Sequence, residues 1–352
     1  RLIVIVQRGG MDGLAAVPAY GESPFASLRG ALDTGSALKL DGTFALHPAL
    51  AQCAQMYHSG EFAVVHAVAP PYHGRSHFEA QDCLENGSEM PHGQQDGWLN
   101  RAVQAMPGAE GLAVASAMPL ILRGDGAVET WSPSPLPEAS EDLLARVAKL
   151  YARDPALAPA FQRAMGADDM PAAKMEGDGA ATRLPAAMRD AARFMHGRNG
   201  LRVVVLQDGG WDTHARQGAA DGQLAGKLRG LDNALDAARN ALGPLWKETI
   251  VVVATEFGRT VRVNGSGGTD HGTGGVMLLA GGAIAGGKIF GDWPGLASRN
   301  LLDGRDLKPT TDSRAVFKTL LRDHLGLSEA ALDAKVFPAS SGIKPLPGLV
   351  RA

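Results

Sequence analysis

Five short apolar runs, rich in β-branched residues, constrain this chain more than any other feature. They are Leu2–Val6, Glu61–Val68, Leu201–Leu206, Thr249–Ala254 and Gly275–Ala280. None alternates polar with apolar residues along its length, so each reads as a strand covered on both faces. Gln223–Leu242 places Leu224, Leu228, Leu231, Leu235, Ala238 and Leu242 at steps of three and four, the stripe of a helix with one buried face. It lies between the third and fourth runs, and a crossover helix implies a parallel pair. Asp312–Leu325 repeats the pattern with Val316, Leu320, Leu321 and Leu325, with Thr310 or Thr311 as N-cap. The expected fold is α/β: a mostly parallel sheet sandwiched between helices, with residues 1–352 as a single domain.

The stretch from about 107 to 200 differs in being rich in Ala, Pro and Met. It reads as a helical insertion, with helices over Ser140–Arg153 and Leu184–Arg198 and a mobile loop over Gly166–Ala181, which is short of bulky apolar residues. Composition excludes several classes of function. With 34 basic and 37 acidic residues the formal charge is −3, which gives no field for nucleic acid. Runs such as Ile250–Ala254 and Val276–Ala280 are far too short to cross a bilayer. Two cysteines, Cys53 and Cys83, read either as one disulfide in an oxidising compartment or as two buried thiols. A chain opening at Arg1 on an apolar run reads as a trimmed product.

Each strand is bordered by a polar cluster. Arg8-Gly-Gly with Asp12 follows the first, and Tyr72-His-Gly-Arg-Ser-His-Phe-Glu79 the second. Asp208-Gly-Gly-Trp-Asp-Thr-His214 follows the third and Thr255-Glu-Phe-Gly-Arg259 the fourth, while Thr269-Asp-His-Gly272 precedes the fifth. Ligands of open α/β sheets sit outside the carboxyl ends of the strands, so these loops are expected to converge. Asp212 with His214, and Asp270 with His271, offer carboxylate oxygen and imidazole nitrogen, a donor set for zinc or another borderline divalent ion. Either pair alone also reads as a turn with an Asx cap. Asp12 reads as a metal carboxylate at a strand tip or as a turn residue. Ser76 and Glu79 have the spacing of a capping box opening a helix over Phe78–Leu84. The same position suits a nucleophile, because a helix N-terminus favours anions. Arg259 reads as a clamp for an anionic substrate or as the ion-pair partner of Glu256 or another acid.

Six segments together resemble one family: Gln7–Gly13, Arg75–Gln81, Gly97–Arg101, Gly209–His214, Thr255–Arg259 and Gly268–Gly272 look like the domain-of-unknown-function family 1501. That family resembles the alkaline phosphatase and sulfatase superfamily in fold, and its members usually carry a twin-arginine export signal. The resemblance implies a periplasmic or secreted protein. It sets Asp12 beside the superfamily's first metal-binding Asp, Ser76 beside its nucleophile, Asp212 and His214 beside an acid–imidazole pair, and His271 beside the final ligand histidine. Where that superfamily has adjacent Asp-His, this chain has Glu256-Phe-Gly-Arg259, which loses an imidazole and adds a cation.

The expected function is an exported metal-dependent hydrolase of small anionic phosphate or sulfate esters. The ion is zinc by preference, with calcium, magnesium or manganese as alternatives. Asp212, His214 and His271, with Asp270 beside them, would hold one ion, and Asp12 and Glu256 would contribute to a second. Ser76 would attack, Arg259 would stabilise the oxyanion, and His77 would protonate the leaving group. The alternatives are a non-catalytic metal- or anion-binding protein on the same fold, and an exported scaffold or assembly factor.

Overall fold

A computed structural model describes residues 1–133, 139–155, 157–168 and 180–351. Its centre is a nine-stranded sheet built from β1 (Leu2–Gln7), β2 (Phe62–Ala69), β3 (Glu110–Val114), β4 (Val128–Trp131), β5 (Leu201–Asp208), β6 (Ile250–Thr255), β7 (Gly275–Ala280), β8 (Lys288–Phe290) and β9 (Thr311–Asp312). The order across the sheet is β8-β2-β7-β6-β1-β5-β3-β4, with β9 also pairing β2. Every pairing is parallel except those of β7, which runs antiparallel to both β2 and β6. All five runs read from sequence are strands. The third and fourth are parallel but not neighbours: β1 lies between them, with Leu2 opposite both Val203 and Ile250.

The absence of alternation in β1 has a direct cause. Ile3 and Ile5 enter one core with Leu224, Leu228, Leu231 and Leu235 of the helix Gln223–Leu242, and with Met188 and Met195 of the helix Ala180–Gly197. Leu2, Val4 and Val6 enter the other, with Trp98, Val316 and Phe317. Successive side chains of a strand point to opposite faces, so a strand between two helical layers must be apolar throughout. On the second face Trp98 stacks on Phe317 with ring centroids 4.5 Å apart.

Several local expectations change. Residues 107–200 are not wholly helical, since β3 and β4 extend the main sheet there. β3 has the sequence Glu-Gly-Leu-Ala-Val, too short and too poor in branched residues to announce itself. Of the loop expected over Gly166–Ala181, residues 169–179 lie outside the described residues, and both its ends are helical, in Leu157–Asp168 and Ala180–Gly197. The late helix spans Ser313–Thr319 and continues as a π turn over Leu320–His324. Asp312, the last residue of β9, caps it in place of Thr310 or Thr311, accepting from the Arg314 amide at 2.8 Å. Cys53 and Cys83 are both buried free thiols. Among the described residues, no helix is long and apolar enough to cross a membrane.

Leu231 is fully buried and Leu143 half exposed. Replacing Leu231 by Ala should lower the unfolding free energy by about 2–5 kcal/mol in a urea titration. The same change at Leu143 should cost less than about 0.5 kcal/mol.

Candidate functional site

Strand direction brings the polar loops together. β1, β2, β5 and β6 end at one edge of the sheet, and β7, running the other way, begins there. The loop that carries Asp270 and His271 therefore joins loops that follow strands. Two glycines allow the close approach. Gly9 has φ +122°, and a Cβ there would lie 2.5 Å from the Asp212 amide nitrogen. A Cβ on Gly258 would lie 1.9 Å from the Gly274 carbonyl oxygen.

Three imidazoles define the site, and in each Nδ1 is committed to an oxygen. His77 Nδ1 donates to Glu256 Oε1 at 2.8 Å. His214 Nδ1 donates to Asp270 Oδ1 at 3.2 Å. His271 Nδ1 donates to the Arg75 carbonyl at 3.0 Å. A neutral imidazole whose Nδ1 carries the proton has its lone pair on Nε2. The Nε2 atoms of His214 and His271 are 2.9 Å apart. Asp212 Oδ1 lies 3.0 Å from the first and 3.3 Å from the second. His77 Nε2, buried and without a hydrogen-bond partner, is 3.4 Å from Asp212 Oδ2.

This arrangement fits a cation. Two facing lone pairs repel unless a proton or a metal ion stands between them. Donors about 2.0–2.1 Å from a tetrahedral zinc lie about 3.3 Å from one another, close to the separations among His214, His271 and Asp212. Ligand atoms of His77, Asp212 and His271 all fall within 4.8 Å of one another. Oxygen acceptors behind each Nδ1 are the usual outer support of metal-bound histidines.

Electrostatics hold the acids ionised. Burial works to raise the Asp212 carboxyl, but the hydrogen bond and charge of Arg259 outweigh it and hold the pKa below the ordinary value. Burial opposes ionisation of Glu256 too, and donors from His77 and Gln81 override it. The Asn264 amide is the largest influence lowering Asp270. His77 is raised, chiefly by its bond to Glu256, and burial lowers His271.

The remaining expected residues are placed as follows. Glu256 is fully buried; its Oε1 accepts from the Gly9 amide, Gln81 and His77, and its Oε2 accepts from Thr255. Asp270 Oδ1 is shared between His214 and Asn264. Asp12 is 1% exposed, with Oδ1 on the Ala15 amide and Oδ2 on Arg29 at 2.5 Å and Gln217 at 2.8 Å. The Arg259 side chain is 0% exposed and pairs with Asp212 at 2.5 Å, not with Glu256. All three of its nitrogens donate to protein oxygens: Nη1 to Asp212 and Gly9, Nη2 and Nε to Thr269. Reaching a substrate as the expected clamp would mean giving up these bonds.

Ser76 is the N-cap of a helix over His77–Asn86, but its side chain makes no capping bond. The expected capping box is not formed, because Glu79 accepts from the Tyr72 hydroxyl instead. The half-buried Ser76 hydroxyl thus has no hydrogen-bond partner among the described residues, and it stands next to His77 in the chain.

Sequence reasoning missed three supporting groups. Gln81, four residues after His77 and on the same helix face, was findable from its spacing. Asn264, and the Arg75 carbonyl behind His271, had no sequence signal.

Residues 64–336, which include His77, Asp212, His214 and His271, match the family described as Protein of unknown function (DUF1501). The chain belongs to this family. No curated protein sequence matches this DUF1501 chain. Solved structures similar to it include the zinc complex of the C-terminal periplasmic domain of EcEptC from Escherichia coli, at 9% identity and TM-score 0.38, covering 79% of this chain and 72% of that one. Alkaline phosphatase from the Antarctic bacterium TAB5 is 12% identical with TM-score 0.38, over 80% of this chain and 91% of that one. The PsFucS1 sulfatase from Pseudoalteromonas sp. is 10% identical with TM-score 0.40, over 100% of this chain and 73% of that one. At these identities and TM-scores the likeness carries no chemistry across.

Gly9→Ala should force the β1 loop away from Asp212. It should cost about 1–3 kcal/mol of stability by urea denaturation.

Proposed function

We propose that this DUF1501 protein is a metal-dependent hydrolase of phosphate or sulfate esters that uses one divalent ion and a serine nucleophile. The convergence of three Nε2 atoms on Asp212, with every Nδ1 tied to oxygen, is the observation that carries this reading. His77, Asp212, His214 and His271 would hold the ion, and a donor set of three nitrogens and carboxylate oxygen suits zinc. In this reading Glu256 and Asp270 hold imidazoles rather than the ion. Asp12, with both oxygens engaged by Ala15, Arg29 and Gln217, does not build a second site.

When bound, a divalent ion supplies a Lewis acid for a non-bridging oxygen of the ester. Ser76 Oγ, free of the capping bond, attacks phosphorus or sulfur as the bond to the leaving alcohol breaks, and the proton given up by the hydroxyl ends on that alcohol. The helix N-terminus behind Ser76 presents backbone N–H groups to the developing charge. Water then releases phosphate or sulfate and restores the hydroxyl, so one water is consumed per ester. Arg259 acts through Asp212, fixing its carboxylate against the imidazoles. His77 takes the role of ligand in place of leaving-group acid. Export is part of this reading on the family resemblance alone.

The engagement of all three Arg259 nitrogens by protein oxygens favours a second reading, a metal- or anion-binding protein without turnover. Metal analysis by mass spectrometry and a panel of aryl phosphates and sulfates separate the two. The hydrolase should carry one ion per chain, and Ser76→Ala should abolish turnover with the ion retained. Glu256→Gln should weaken zinc binding about 10–100-fold. Bound ion with no turnover on any ester supports the binding protein, whereas no uptake of zinc, calcium, magnesium or manganese contradicts both metal readings.

A further inference from the structure

The oxygen behind His271 comes from a backbone in an uncommon conformation. Arg75 has φ +61°, in the left-handed region that side chains other than glycine, asparagine and aspartate seldom adopt. Glycine would adopt it freely, and Gly74 sits one residue away, yet the left-handed residue is the arginine. Its side chain is anchored at both ends of the guanidinium. Arg75 Nε donates to Asp306 Oδ2 at 2.8 Å, Nη2 lies 2.7 Å from the same oxygen, and Asp303 stands 3.3 Å from Nη2 at the surface. Asp306 is 0% exposed and is itself fixed, by a backbone bridge to Thr260, a second to Leu302, and Arg305 on its Oδ1 at 2.9 Å.

We propose that Arg75 and Asp306 are positioning residues: their ion pair holds the Arg75 peptide left-handed, so that its carbonyl locks His271 with the proton on Nδ1 and the lone pair toward Asp212. This rests on the ion site proposed above. One peptide unit then serves two purposes, because the residue after it is Ser76. Glycine at position 75 would relieve the strain and lose the anchor.

The test uses Asp306→Asn and Arg75→Met, singly and together, on the full chain. Zinc affinity is read by competition with a chromophoric chelator, and the His271 tautomer by long-range proton–nitrogen NMR on the metal-free protein. Each single variant should weaken zinc binding about 10–100-fold while melting cooperatively. The double variant should be no weaker than the worse single, since both act through one carbonyl. His271 should carry its proton on Nδ1 in the unaltered protein and shift toward Nε2 in each variant. Zinc affinity within twofold of the unaltered protein together with an unchanged tautomer overturns the proposal, as does a double variant whose loss is the product of the two singles. If Asp306→Asn fails to fold, Arg75→Met carries the same readings. A protein that binds no zinc but shows the tautomer shift contradicts the ion site and leaves the clamp standing.

Discussion

A neutral imidazole offers a lone pair at one nitrogen only, and in this protein the choice of nitrogen is made by oxygens that cannot leave. Glu256, Asp270 and the Arg75 carbonyl take the Nδ1 protons of His77, His214 and His271. The Nε2 atoms of His214 and His271 are then left facing one another beside a carboxylate that a buried guanidinium keeps ionised. Much of the surrounding polar structure serves this constraint. Gln81 and the Gly9 amide steady Glu256, and Asn264 steadies Asp270. Arg259 fixes Asp212 from a position with no exposed surface.

The sheet makes such a constellation affordable in chain length. Four parallel strands deliver their C-terminal loops to one edge, and the single antiparallel strand delivers the loop that precedes it. Groups nearly two hundred residues apart thus meet without any long excursion of the backbone. The tightness of the meeting is set by glycine, at positions where even one methyl group would strike the neighbouring backbone.

The fold was largely legible in the chain because burial on two faces leaves an unmistakable mark: Leu2–Val6 and Ile250–Ala254 have no polar residue at all. β3 and β4 were illegible for the opposite reason, since Gly111 and Ala113 contribute little side chain and the four-residue edge strand Val128–Trp131 carries two polar residues and no fully buried one. At the site, the convergence of loops could be read from strand order, and so could the identity of the acids and imidazoles. The division of labour among them could not. Whether Glu256 meets an ion or an imidazole depends on an ångström-scale placement that residue type does not encode. Ser76 and Glu79 illustrate the same limit, since capping-box spacing yields no capping bond once Tyr72 claims the glutamate. Arg259 shows how burial decides a role: an arginine in a loop suggests a substrate clamp, and the same arginine with every nitrogen engaged by protein becomes a brace.

The most direct test of the central claim is X-ray absorption spectroscopy at the zinc edge of the loaded protein. The loaded protein should show a first shell of nitrogen and oxygen at about 2.0–2.1 Å with the outer-shell pattern of three imidazoles. A His77→Ala variant should lose one imidazole. A shell of water and carboxylate oxygen without imidazole scattering, or one unchanged by His77→Ala, would contradict that claim.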